Sequence, residues 1–176
     1  MKVPSDRASA MSGFVAVLLA LCAACMTHCY GQDRPAGDAR LKIRDALQAL
    51  ADGNGDWRLF TVVYDDLHPF HGGLTLTIHG NGSVEQKSVR TEVGQTTKVS
   101  APDLEKLVSL LRKLEAWEQR VPERMAVPDE SRARLVITYG EYQTVIWEWY
   151  NDLAKNRRIS EIRDLMKQIA WKIYAN

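Results

Sequence analysis

A chain of 176 residues, 45% of them hydrophobic, is long enough to bury a core of its own without covalent cross-links. It has 23 lysines and arginines against 22 aspartates and glutamates, so its net charge is close to zero. This balance argues against nucleic acid as a general partner, because binding to phosphates needs a basic surplus or a basic stripe.

The first 31 residues predict a secretory signal peptide. Lys2 and Arg7 precede an apolar run of thirteen residues, Phe14–Met26. That run is too short to cross a bilayer as a helix, which needs about 20 apolar residues, but it suits the central region of a signal peptide. We therefore expect the protein to be exported.

Two processing sites remain open in this segment. Small residues at Cys29 and Gly31 favour cleavage after Gly31, which releases a chain that starts at Gln32. The sequence Leu21-Cys-Ala-Ala-Cys25 resembles a bacterial lipobox, in which a lipid is attached to Cys25. The protein is then periplasmic, extracellular or lipid-anchored to the cell envelope, and a lipid anchor would be its only contact with a membrane.

The remaining sequence predicts a spacer and a short helix over residues 32–56, followed by a single domain over residues 57–176. Apolar and alternating runs predict five strands, at 57–64, 74–79, 83–90, 132–139 and 142–149. Helical spacing predicts a short helix at about 38–51 and two longer ones, from an N-cap at Ser100 to about Trp117 and from about Ile159 to Tyr174. This order predicts an α+β fold, an antiparallel sheet of about five strands with two main helices packed on it and a short N-terminal helix.

Two of these strands carry further expectations. The strand at 57–64 is apolar almost throughout, so we expect it to be buried on both faces. The strand at 83–90 is more polar, which is typical of a sheet edge.

The last two strands form a hairpin. Gly140-Glu141 separates two runs rich in β-branched and aromatic residues, as a two-residue type II′ turn requires. The register that this turn implies places Arg132 opposite Trp149 and Arg134 opposite Trp147. Both pairs then share one face, and the aliphatic residues of the hairpin share the other, which is the better candidate for the core.

Arg132, Arg134, Trp147 and Trp149 are the candidate binding site. Two interpretations remain open: the guanidinium groups shield the indoles from water, or the four side chains form a platform for a protein, a glycan or another small-molecule ligand. We expect one tryptophan to be structural. Trp147 is the better choice, because it lies nearer the middle of its strand.

Histidines offer the one combination of residues that predicts a metal site. His68 and His71 are close enough in sequence to meet, with Asp65 or Asp66 as a carboxylate ligand. No further ligand accompanies them, so we expect no metal and no other cofactor.

Catalytic signatures are lacking in the sequence. There is no Gly-x-Ser-x-Gly motif, and all three cysteines, Cys22, Cys25 and Cys29, lie within the predicted signal segment. We therefore expect a non-catalytic binding domain, with a hydrolase that has an unrecognised site as an alternative.

A resemblance gives a second alternative. The segment Gly72-Gly-Leu-Thr-Leu-Thr-Ile-His-Gly-Asn-Gly-Ser-Val84, the leucine-rich helix that ends Leu114-Glu-Ala-Trp117, and the strand pair after it look like small bacterial exported domains of uncharacterised families. Their order is similar to that of the emfourin proteins, small inhibitors of thermolysin-like peptidases. The resemblance covers roughly residues 70 to 150. It implies peptidase inhibition, with no inhibitory residue carried over.

Overall fold

The computed structural model describes residues 36–68, 72–88, 92–95, 98–120, 124–125 and 127–172. They belong to one compact unit, Pro35–Asn176. The core side chains that the structure describes lie within this unit. In the described ranges, no helix is long and apolar enough to cross a membrane. The predicted signal segment and His71 lie outside the described residues.

Six strands and three helices make up the described part of the chain. The strands are β1 Phe60–Asp65, β2 Leu74–His79, β3 Val84–Ser88, β4 Glu92–Gln95, β5 Arg132–Tyr139 and β6 Tyr142–Trp149. The helices are α1 Ala36–Ala51, α2 Ala101–Lys113 and α3 Arg157–Lys172. The strands form one sheet in the order β4-β3-β2-β1-β5-β6, and every neighbouring pair is antiparallel. The predicted α+β class is confirmed, and β4 is an additional short strand.

The three helices lie on one face of this sheet. α2 contacts both α1 and α3, while α1 packs on β5 and β6 and α3 packs on β2. Burial alternates accordingly along β1, where Phe60, Val62 and Tyr64 are at most 1% exposed and the residues between them are half-buried. The prediction that this strand is buried on both faces is therefore wrong, because the helix layer covers one face.

The prediction that the third strand lies at an edge is also wrong. β4 pairs with β3 through a four-residue register, so β4 and β6 are the strands at the two ends of the sheet. The sequence Glu-Val-Gly-Gln of β4 has too few apolar residues to show a strand period. Glu85 and Lys87 of β3 lie on the uncovered face, whereas Gln86, opposite Leu76, lies on the face towards the helices.

Local signals placed the start of α2 correctly, whereas the helix ends at Lys113 and not near Trp117. The Ser100 side chain accepts a hydrogen bond from the Asp103 backbone N–H at 3.3 Å, and Pro102 lies in the first turn. The leucine-rich stripe of this helix is buried, and α1 contributes a second buried stripe. Both stripes meet the aliphatic face of the sheet, which forms the core.

Candidate binding site

The hairpin of β5 and β6 has the predicted register. Gly140 has φ 59°, the left-handed conformation that the first position of a II′ turn needs. Arg132 lies opposite Trp149 and Arg134 lies opposite Trp147. All four side chains therefore project from the face opposite the helices, which we call the open face.

Arg132 is held in the corner between two indole rings. Its guanidinium carbon lies 4.0 Å from the centroid of the Trp147 ring and 4.6 Å from that of Trp149. The two rings are 5.3 Å apart and nearly perpendicular, at 79°. A cation at these distances is attracted by the electron-rich ring faces. Three of the four predicted site residues thus form one cluster.

The fourth residue, Arg134, is directed to the neighbouring strand. Its guanidinium forms an ion pair with Asp65 of β1, whose carboxylate also accepts a hydrogen bond from the Thr75 hydroxyl at 2.9 Å. The charge of Arg134 is therefore compensated within the sheet. Sequence reasoning could not find this partner, because Asp65 is 69 residues away.

Burial of the two tryptophans is the reverse of the expectation. Trp149 is 6% exposed, whereas Trp147 is half-buried. The depth to which each tryptophan is buried therefore did not follow from its position along β6. A third arginine, Arg124, lies 5.3 Å from the Trp149 ring and covers it from the connection that precedes the hairpin.

An ion-pair network fixes Arg124 in this position. Its guanidinium donates two hydrogen bonds to the Glu130 carboxylate, at 2.8 and 2.9 Å, and one to Asp152 at 2.8 Å. The Glu130 side chain is only 1% exposed, and it also accepts hydrogen bonds from the backbone N–H groups of Val127 and Asn151. The hydrogen bonds from Arg124 hold the pKa of the Glu130 carboxyl below its usual range.

The cover over Trp149 leaves one polar atom without a partner. The indole Nε1 is buried and has no hydrogen-bond acceptor among the described residues. A buried donor without an acceptor costs roughly 1–3 kcal/mol. Packing of the large ring under its guanidinium neighbours offsets that cost.

Beside the cluster, a side chain occupies the edge of β6. The Gln119 amide accepts a hydrogen bond from the Trp147 backbone N–H at 2.8 Å and donates one to the Trp147 carbonyl at 3.1 Å. This contact blocks strand pairing at that point of the edge. Gln119, Arg124 and Glu130 were missed by the sequence analysis, because the connection that carries them has no strand or helix period.

The three arginines of this region differ in their charge compensation. Arg124 has two carboxylate partners and Arg134 has one. Arg132 is exposed, and the described part of the chain provides no carboxylate for it. A guanidinium with free, fixed donors binds carboxylates and phosphates through paired hydrogen bonds. Arg132 is therefore the group with unused binding capacity.

Of the two histidine candidates, the structure describes His68. Its backbone pairs with that of Gly72, with N–H···O distances of 2.7 and 3.1 Å. Within the ranges that the structure describes, no group of three His, Cys, Asp or Glu side chains is arranged to hold a metal ion.

No protein-family model matches this chain, and no curated protein or solved structure matches it significantly. The function of the chain is therefore inferred from the geometry of the site and from the sequence.

Proposed function

We propose that this chain is an exported, non-catalytic binding domain that recognises a carboxylate on a partner protein through Arg132. The observation that carries the proposal is the contrast between its fixed position and its missing counter-charge. Two indole rings hold the guanidinium, while the described residues supply no acid to neutralise it.

Stacking on the two indole rings preorganises the Arg132 guanidinium for binding. A free arginine loses side-chain entropy worth up to about 2 kcal/mol when it is immobilised. Part of that loss has already occurred in the free protein, because the rings of Trp147 and Trp149 restrict the guanidinium. A hydrogen bond to a charged group contributes roughly 1.5–3 kcal/mol, and Arg and Trp are the residues most often found at binding hot spots.

The surroundings of Arg132 favour a protein as the partner. Further half-buried and exposed β-branched residues lie on the same open face, among them Thr61, Val63, Thr138 and Val145. Such a sheet face suits the surface of another protein, whereas small molecules bind in concave pockets.

Export is supported by the charged start and the apolar run of thirteen residues, Phe14–Met26. Intact-mass measurement of the protein purified from its host tests it. A mass that starts at Gln32 supports cleavage after Gly31, and added acyl mass on a chain that starts at Cys25 supports the lipoprotein form. A cytosolic chain that retains Met1–Gly31 contradicts export.

Binding is tested by capture of proteins from the envelope fraction on immobilised wild-type chain, with each captured protein quantified. We expect at least one protein to be lost with Arg132→Ala and with Trp147→Ala. The matched controls are Arg134→Ala, on the same face, and Arg58→Ala, whose guanidinium pairs with Asp56 elsewhere. Capture that is equal for Arg132→Ala and both controls overturns the proposal.

Peptidase inhibition of the emfourin type is the alternative. It is supported by the element order over residues 70 to 150, and by the edge of β6 beyond the Gln119 contact. Val145 lies two residues before Trp147 on that edge strand, so its backbone N–H and C=O point to the same outer side, where an extended chain can pair. Titration of a thermolysin-like peptidase with the purified protein tests this alternative. Stoichiometric loss of peptidase activity supports it, and full activity at tenfold excess rejects it.

A further inference from the structure

The outer surface of the helix layer carries a groove between α2 and α3. Its volume is about 680 Å³. Leu110 of α2 and Leu165 of α3 contribute apolar surface to it. Trp171 lies seven residues after Asp164, two helical turns along the same side of α3, and is 55% exposed. An exposed tryptophan beside an apolar groove is a common mark of an interaction surface.

The two walls of this groove carry opposite charges. Lys106 and Lys113 line the α2 side, while Glu161 and Asp164 line the α3 side. The lysines have no carboxylate partner among the described residues. The acids pair locally on their own helix, Glu161 with Arg157 and Asp164 with Arg163, each at 2.8 Å. Among the described residues no ion pair bridges the groove: the lysines of α2 are uncompensated, and each acid of α3 shares its charge with an arginine of the same helix.

We propose that this groove is the interface of a homodimer, occupied by the same groove of a second copy of the chain. A twofold axis that runs lengthwise along the groove places the basic wall of each copy against the acidic wall of the other. The same operation brings Leu110, Leu165 and Trp171 of both copies together. A partner with a uniformly charged surface would repel one wall, whereas a second copy presents both charges in the order that the groove needs.

The size of the surface limits the strength of this dimer. α2 has 13 residues, which gives a groove about 20 Å long. With helix axes about 8–10 Å apart and side chains on both flanks, each copy offers on the order of 400 Å². Stable complexes bury roughly 800 Å² per partner, so we expect a reversible dimer with a dissociation constant at or above about 10 μM.

Charge reversal followed by mixing tests the proposal. Sedimentation of the protein purified from its host, from about 1 μM to 1 mM around the expected dissociation constant, should show self-association in the wild type. Lys106→Glu with Lys113→Glu makes both walls acidic, and Glu161→Lys with Asp164→Lys makes both walls basic. Each variant alone should weaken self-association at least about tenfold, because like charges then face each other.

An equimolar mixture of these two variants should associate again, since an acidic pair of walls now meets a basic pair. The control for net charge is Lys42→Glu with Lys98→Glu, two exposed lysines that do not line the groove. That control should associate as the wild type does. All variants should melt within a few degrees of one another, because the exchanged side chains lie on the surface.

A wild-type protein that stays monomeric over the whole range overturns the proposal. So does self-association that survives both charge reversals, or a mixture of the two variants that fails to associate. The Arg132 site lies on the opposite side of the sheet, and a dimer formed there would respond to Arg132→Ala and not to the groove variants. Failure of the two proposals is therefore distinguishable.

Discussion

The two faces of the sheet are built from the same strands but are covered in different ways. On one face the three helices bury Val62, Leu135 and Ile137 completely. On the open face, Val136 and Thr138 of the same strand β5 stay partly exposed. The open face achieves deep burial at its Trp149 end, where side chains from the preceding connection lie over the ring.

This difference shows that charged groups can take the place of a helix layer. Arg124 and Arg132 lie against the tryptophan rings with their alkyl and guanidinium surfaces, while their charged edges remain available for hydrogen bonds. The cover of Trp149 and the proposed binding group are thus parts of the same cluster. Substitutions that separate the two roles test this reading of the open face.

The largest loss of stability should come from replacing the tryptophans by alanine. Trp149→Ala removes a ring that is 6% exposed and should lower the free energy of unfolding by about 3–5 kcal/mol. Trp147→Ala removes a half-buried ring and should cost about 1–2 kcal/mol. Urea denaturation of both variants measures the two values. Equal costs would mean that the cluster gives Trp149 no more cover than Trp147 has.

The next largest loss of stability should come from a residue on the covered face of the sheet, compared with one on the open face. Leu135→Ala on the covered face should cost about 2–5 kcal/mol, because it leaves a cavity beneath the helices. Val145→Ala on the open face should stay within about 0.5 kcal/mol, since that side chain is 41% exposed. Similar losses for the two variants, measured by the same denaturation, would indicate that the open face is covered in solution.

The Arg124–Glu130 pair should make the cover over Trp149 sensitive to pH. The pKa of Glu130 is lowered in the folded protein, so its contribution to stability is fully present above the ordinary glutamate pKa of about 4.3. It is lost as the pH falls through the folded pKa, because the unfolded chain takes up the proton first. Glu130→Gln should therefore melt below the wild type at pH 7, and the gap should narrow below about pH 4.

Thermal melts of both proteins between pH 3 and 7 measure this gap. Glu161→Gln is the control, since its carboxylate forms an exposed ion pair within one helix. A gap that is independent of pH would show that Glu130 acts through packing and not through its charge.

The smallest effect on stability should come from the arginines of the open face. Arg132→Ala should cost about 0.5–1 kcal/mol, the usual value for an exposed cation–π contact. Arg134→Ala loses an ion pair and should cost no more than about 1 kcal/mol. Near-ultraviolet circular dichroism separates the two, since Arg132→Ala alone alters the surroundings of both indoles. A change of the tryptophan signal in Arg134→Ala would contradict the separation of the two arginines.

Much of the fold was predictable because its causes are local. Ser100 and Pro102 mark the start of α2 within one turn, and Gly140 supplies the conformation that the hairpin needs. Once that turn is set, the period of two along the strands determines the register, and with it the face on which Arg132 and Trp147 lie. The sequence therefore predicted that Arg132, Trp147 and Trp149 share one face, but it did not predict that Arg124 joins them there.

Burial and charge compensation were not predictable in this way. The position of the helix layer decides that one face of β1 is buried, and the connection before β5 decides that Trp149 is more buried than Trp147. Arg134 finds Asp65 because β1 and β5 are neighbours, and Arg132 stays uncompensated because no acid is brought to it in the described part of the chain. The sequence alone determines the elements, the turn and the side chains that share a face, since these depend on residues a few positions apart. The tertiary structure decides which faces are covered and which charges are paired, because those depend on residues that meet only when the chain folds.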